Sequence, residues 1–160
     1  MMKVFTIGVY HSTEESFFGK LAANAVDTLI DIRQRRGLRG REYAFANSKY
    51  LQKKISEMGI RYLYVKELAP TTEIRLRQKA DDLRLGERKR DRNMLGDAFK
   101  EGYRTLILPR FDFDALVSQL QAMGACRIAL LCVEEKASAC HRSLVAEELR
   151  QRYGFETINL

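Results

Sequence analysis

The chain has 160 residues, 46% hydrophobic and 31% charged, enough for one domain with a buried core. No apolar run approaches the roughly 20 residues of a membrane span, and the opening "MMKVFTIGVY" lacks a secretory signal pattern, so a cytoplasmic location is expected. A formal charge of +7, from 28 basic and 21 acidic residues, favours anionic partners such as nucleotides, phosphorylated metabolites or nucleic acid.

In chain order, "KVFTIGV" reads as a strand ending at Gly8. In "STEESFFGKLAANA", Ser12 is a candidate N-cap and Glu15 completes a capping box; Phe17, Phe18, Leu21, Ala22 and Ala25 keep helical spacing. "VDTLIDIR" is a buried strand. "ANSKYLQKKISEMGI" is a helix capped by Asn47 or Ser48, apolar at Leu51, Ile55 and Met58, and ended by Gly59. "RYLYVKEL" is a third strand.

Residues 72–102 are dense in both charge signs and hold no strand-like run. Two helical pieces are expected there, a charged insertion or lid with a solvated face. "TLIL" is a short apolar run of unassigned role. "DFDALVSQLQAMG" is a capped helix, "CRIALLCV" a strand, "CHRSLVAEELRQRYG" a helix ending at Gly154, and "FETINL" a last strand. Strands alternating with helices predict a single α/β domain over 1–160, with a mostly parallel sheet of about five strands and helices on both faces. Ligands of such sheets bind beyond the carboxyl ends of the strands.

Several polar residues collect at that edge. Gly8, Tyr10 and His11 follow the first strand, Asp31 and Arg33 close the second, and Cys132 and Glu134 close the strand before "ACHRS". A helix starting near Cys140 aims its free N–H groups at the edge, and Arg142 and Ser143 add donors for phosphate or carboxylate. Asp31 and Glu134 form a carboxylate pair suited to acid–base hydrolysis. A thiol beside His141 and Arg142 has its pKa lowered, so Cys140 is a candidate nucleophile with His141 as acid or base.

Three cysteines, Cys126, Cys132 and Cys140, make no disulfide framework. Cys132, Cys140 and His141, with Asp31 or His11, are conceivable metal ligands. Their C-x7-C-H spacing matches no usual structural zinc site, so neither a metal nor another cofactor is assigned. The loop "RQRRGLRGR" carries five arginines, Arg33, Arg35, Arg36, Arg39 and Arg41, suited to phosphates. Tyr43 and Phe45 follow and are available to stack on a base.

The segments "FTIGVY", "IDIR", the Arg-Gly loop with "YAFAN", "GIRYLYVKELAPT" and "ALLCVEE…ASACHRSLVAEEL" occur in an order that resembles the domain of unknown function 488 family, in a subgroup with an Arg-Gly-rich loop. The resemblance implies a small prokaryotic α/β domain and brings no established reaction. Its motif residues here are Gly8, Asp31, Arg33, Phe45, Asn47, Cys132, Glu134, Cys140, His141 and Arg142. Many members read "TIGHS" near the start and Leu-Gly-Gly after the third strand; this chain has "TIGVYHS", and Leu68 is followed by Ala69 and Pro70. The helix start "HRSLVAEEL" is similar, more weakly, to those of rhodanese-like sulfurtransferases and Cys phosphatases. Nine residues, two of them Glu, separate Cys132 from Arg142, more than those loops hold.

The expected function is a hydrolase acting on a nucleotide or nucleic acid. Asp31, Glu134, His141 and Cys140 are the catalytic candidates. The loop arginines, Arg142 and Ser143 would bind phosphate, and Gly8, Tyr10, Phe45, Asn47 and Cys132 would shape the pocket. The alternatives are a non-catalytic nucleic-acid-binding module and a Cys-dependent sulfurtransferase- or phosphatase-like enzyme.

Overall fold

Successive positions of "KVFTI", "TLID" and "RIALL" are buried, as expected of strands covered on both faces. The computed structural model, which describes all 160 residues, has five strands: β1 (Lys3–Ile7), β2 (Thr28–Asp31), β3 (Arg61–Tyr64), β4 (Arg127–Leu131) and β5 (Glu156–Asn159). They form one sheet in the order β3-β2-β4-β1-β5, and every pairing is parallel. Six α-helices connect them: α1 (Glu14–Ala23), α2 (Ser48–Glu57), α3 (Thr72–Leu85), α4 (Asp97–Leu106), α5 (Phe113–Ala122) and α6 (Arg142–Tyr153). No helix is long and apolar enough to cross a membrane.

Successive strand residues point to opposite faces. Val4, Ile30, Ile128 and Leu130 share one core layer with Phe99, Tyr103, Leu116, Leu120, Val145 and Leu149. Phe5, Ile7, Leu29, Ala129 and Leu131 share the other with Phe17, Leu21, Leu51 and Ile55. So α1 and α2 cover one face, and α3 to α6 cover the other. Connections leaving β1 and β2 run toward β3, whereas those leaving β3 and β4 run toward β5. Right-handed crossovers put oppositely directed connections on opposite faces, which matches the two layers.

The local signals hold with shifts of a few residues. The capping box of α1 sits one residue later than expected: Thr13 Oγ1 accepts from Ser16 N, and Ser16 Oγ accepts from Thr13 N, so Ser12 and Glu15 are not its members. Asn47 precedes α2, but its Oδ1 accepts from Leu38 N at 2.7 Å and braces the Arg-Gly loop instead of capping the helix. "RYLYVKEL" is strand only to Tyr64; a single 3-10 turn follows at Lys66–Leu68. "TLIL" is helical: Thr105 and Leu106 end α4, and Leu108 opens a short 3-10 turn. α6 stops where Gly154 takes a left-handed conformation, φ +69°.

The stretch after Pro70 is more than a solvated face. Ile74, Leu95, Phe99 and Tyr103 are buried in the core layer, and Tyr103 donates from its hydroxyl to Leu68 O at 2.6 Å. The polar face of α3 carries buried Gln78 and Asp82, which look onto a cleft.

Candidate functional site

β2 and β4 are neighbours, and Asp31 is level with Leu131 in their register. The chain leaves their carboxyl ends toward opposite faces of the sheet, so a crevice opens between them. The crevice holds a cavity of about 540 Å³, within the usual range for small-molecule sites.

Its walls are basic. Arg33, Arg35 and Arg39 come from the loop after β2, Arg75 and Lys79 from α3, and Lys89, Arg90 and Arg92 from the turn that follows. The acids among the lining residues are Asp82, Glu87 and Glu134. Two of the cations are buried and held by several partners each. Arg33 makes a fork to Asp31, Nε to Oδ1 at 2.9 Å and Nη2 to Oδ2 at 2.8 Å, and donates from Nη1 to Ala46 O. Arg92 donates to Asp82 Oδ2 at 2.7 Å, Glu134 Oε1 at 3.0 Å and Ala139 O. Arg35, Arg39 and Lys79 are exposed and free to meet a ligand. Tyr10 adds a ring to the wall, braced edge-on by Tyr43 with Arg90 over both.

The floor is a cluster of Cys132, Cys140, His141 and Glu134. His141 Nδ1 is 3.6 Å from both Cys132 Sγ and Cys140 Sγ. Its Nε2 lies 2.8 Å from Ile32 O. A carbonyl only accepts, so Nε2 carries a proton, and in the neutral ring Nδ1 presents its lone pair to the sulfurs. Glu134 Oε2 lies 3.4 Å from Cys132 Sγ, while Oε1 is held by Arg92.

These groups shift one another. Burial, then the Cys140 charge, raises the Glu134 carboxyl, against the opposing pull of Lys89 and Arg92. Burial, then a hydrogen bond with Cys140, raises the Cys132 thiol. For Cys140 burial works upward, but Cys132, His141 and Arg142 outweigh it and hold the thiol well below its ordinary value. Burial lowers His141, and the Cys140 charge and the Ile32 carbonyl reverse that to a net rise.

Of the residues the sequence singles out, the structure brings Tyr10, Arg33, Arg35, Arg39, Cys132, Glu134, Cys140 and His141 to the cleft. Others lie outside it. Asp31 is fully buried under Arg33 and accepts from Tyr62 Oη at 2.6 Å, so it braces the site and does not pair with Glu134. Arg142 donates backward to Glu134 O and Glu135 O and so holds the turn. Ser143 Oγ donates to Cys140 O. Phe45 is packed against Phe17 and Phe18 and cannot stack on a base. Arg36 lies over the Tyr64 ring, Arg41 points to solvent, and His11 bonds Arg90 O and Asp91 near the rim. Gly8 shapes the turn: a Cβ there would lie 2.0 Å from Glu134 O.

The sequence reading missed Arg75, Lys79, Lys89, Arg90 and Arg92. The available signal was spacing: Arg75 and Lys79 are four apart on α3, one face of a helix, with Gln78 and Asp82 beside them.

Comparison with curated proteins and with solved structures finds no match. A family model described as a domain of unknown function, DUF488, matches residues 13–149. That span runs from the cap of α1 to within α6 and includes the basic loop, α3 and the whole floor cluster, and the chain belongs to this family.

Proposed function

We propose that the cleft binds a phosphate-bearing ligand of nucleotide size and that the protein is a hydrolase acting on a nucleotide or nucleic acid. One observation carries this reading: three separate chain segments converge eight Arg and Lys side chains on one cavity, against three acids. Cations brought together from distant segments concentrate positive potential where a solvated surface would spread it. Arg35, Arg39, Arg75 and Lys79 line the outer part and would contact phosphate.

Hydrolysis needs a group to take a proton from water. Glu134 is the best candidate at the floor, since burial raises its carboxyl and a base is most effective when its pKa approaches the working pH. Arg92 and Lys89, at 3.0 and 3.8 Å from Oε1, hold it in place and leave Oε2 toward the cluster.

The test is binding and turnover of mononucleotides and short oligonucleotides at low and high salt, with Glu134→Gln alongside. Stabilisation by a nucleotide at low salt, and turnover lost in Glu134→Gln with binding kept, support the reading. Binding without turnover in the wild type makes the protein a nucleic-acid-binding module. No binding at low salt overturns the reading altogether.

A further inference from the structure

Three soft donor atoms converge at the floor of the cleft. His141 Nδ1 is the same distance, 3.6 Å, from Cys132 Sγ and from Cys140 Sγ, and the three atoms lie within 4.8 Å of one another. One nitrogen lone pair accepts well from one thiol, not from two. The three donor atoms are close enough together to share one cation. With Zn–S of about 2.3 Å and Zn–N of about 2.0–2.1 Å, the sulfur-to-nitrogen edge of a tetrahedron is about 3.6 Å. Both edges here have that length.

The surroundings fit a metal ligand set as well. A ligating His usually donates its other ring N–H to a carbonyl or carboxylate, which fixes the ring and the tautomer; Nε2 of His141 has Ile32 O at 2.8 Å. The Tyr103 ring, 5.6 Å from the imidazole centroid, limits ring rotation. Two thiolates and a divalent cation are together neutral, so the nearby arginines oppose the loaded centre little. Thiolate and imidazole donors select thiophilic metals over magnesium or calcium, which require oxygen. Structural zinc sites are closed by four protein ligands, whereas three ligands facing a cavity leave a position for water or substrate. All three ligands line the cleft.

We propose that Cys132, Cys140 and His141 bind one thiophilic divalent cation of the zinc class, with its open position facing the basic cleft. The role of that cation rests on the hydrolytic reading above, and its binding does not. In that role the metal would lower the pKa of a bound water to about 7, beside the Glu134 carboxylate.

Cobalt titration of the reduced, metal-stripped full-length protein tests the inference. The expected result is a thiolate-to-cobalt charge-transfer band that saturates at one equivalent, with tetrahedral visible bands, both erased by zinc. Cys140→Ser and Cys132→Ser lose the band at equimolar metal, and Cys126→Ser, changed at the opposite end of β4, keeps it. Because a buried Cys change can impair folding, the wild type carries a second readout: zinc raises its Tm and magnesium does not. No band in the folded wild type, or a band that survives the Cys132/Cys140 double change, overturns the proposal. Nucleotide binding, measured separately on the stripped protein, tells the two readings apart. A protein that binds nucleotide but fails to bind cobalt overturns the metal centre alone, and one that binds cobalt but fails to bind nucleotide overturns the hydrolase reading alone.

Discussion

Arg92 reaches Glu134 at 3.0 Å across 42 residues of chain, and both side chains are almost fully buried. The same guanidinium holds Asp82 on α3 and the carbonyl of Ala139 before α6. One side chain therefore joins the helical wall to the turn that carries the floor. A charged segment that looked like a solvated insertion is anchored through its charges.

Replacing Arg92 with Met leaves two buried carboxylates without their shared partner. Breaking such a pair from one side costs about 3–5 kcal/mol, readable as a lower urea midpoint. Adding Glu134→Gln should return part of the loss, so the double variant falls short of additivity. A loss below about 1 kcal/mol would mean that the pairs behave like exposed ones.

Asp31 is a fold residue in this structure. Asp31→Asn removes the partner of a fully buried guanidinium and should cost about 3 kcal/mol or more. Nucleotide affinity of the folded fraction should stay near wild type, because the carboxylate does not line the cleft. Equilibrium unfolding and ligand titration of the same sample check both halves.

The basic walls give a positional prediction. Arg35→Glu and Lys79→Glu, on separate chain segments of the lining and exposed, should each weaken nucleotide binding about tenfold or more, the scale of one lost charge-assisted contact. Arg41→Glu changes the same formal charge outside the cleft and should have little effect at moderate salt. All three should keep the wild-type Tm. If Arg41→Glu weakens binding equally, the anion lies on the loop surface and not in the cleft.

Gly8 tests the junction of β1 with the floor. Val9 N and Tyr10 N both donate to Val133 O, which draws the two turns together until a Cβ would overlap Glu134 O. Gly8→Ala should cost about 1–3 kcal/mol, as overpacking does, and should weaken cobalt binding by shifting the Cys132–Glu134 turn. Thermal unfolding and the cobalt band measure each effect.

Periodicity carried the architecture. Nearly continuous apolar runs at β2, β3 and β4 and the 3.6-residue spacing in α1 and α2 depend only on neighbours along the chain, so the parallel sheet was legible. Capping shifted by one residue at Thr13 because Ser16 competes with Glu15 for the same role. "TLIL" stayed unassigned because a short apolar run serves a helix end as well as a strand.

The direction of long side chains was not legible. Asp31, Arg142 and Phe45 sit at the predicted edge, yet each turns inward: Asp31 to Arg33, Arg142 to two carbonyls, Phe45 to α1. An ionised group next to a core must find a partner, and its partners lie far along the chain. By itself the sequence determined the fold class and the cluster of Cys, His and Glu after β4. Only the tertiary structure decided that α3 and its turn supply five of the cleft's eight cations, and that His141 Nδ1 is equidistant from two sulfurs. Both depend on contacts between segments remote in sequence, which local patterns do not encode.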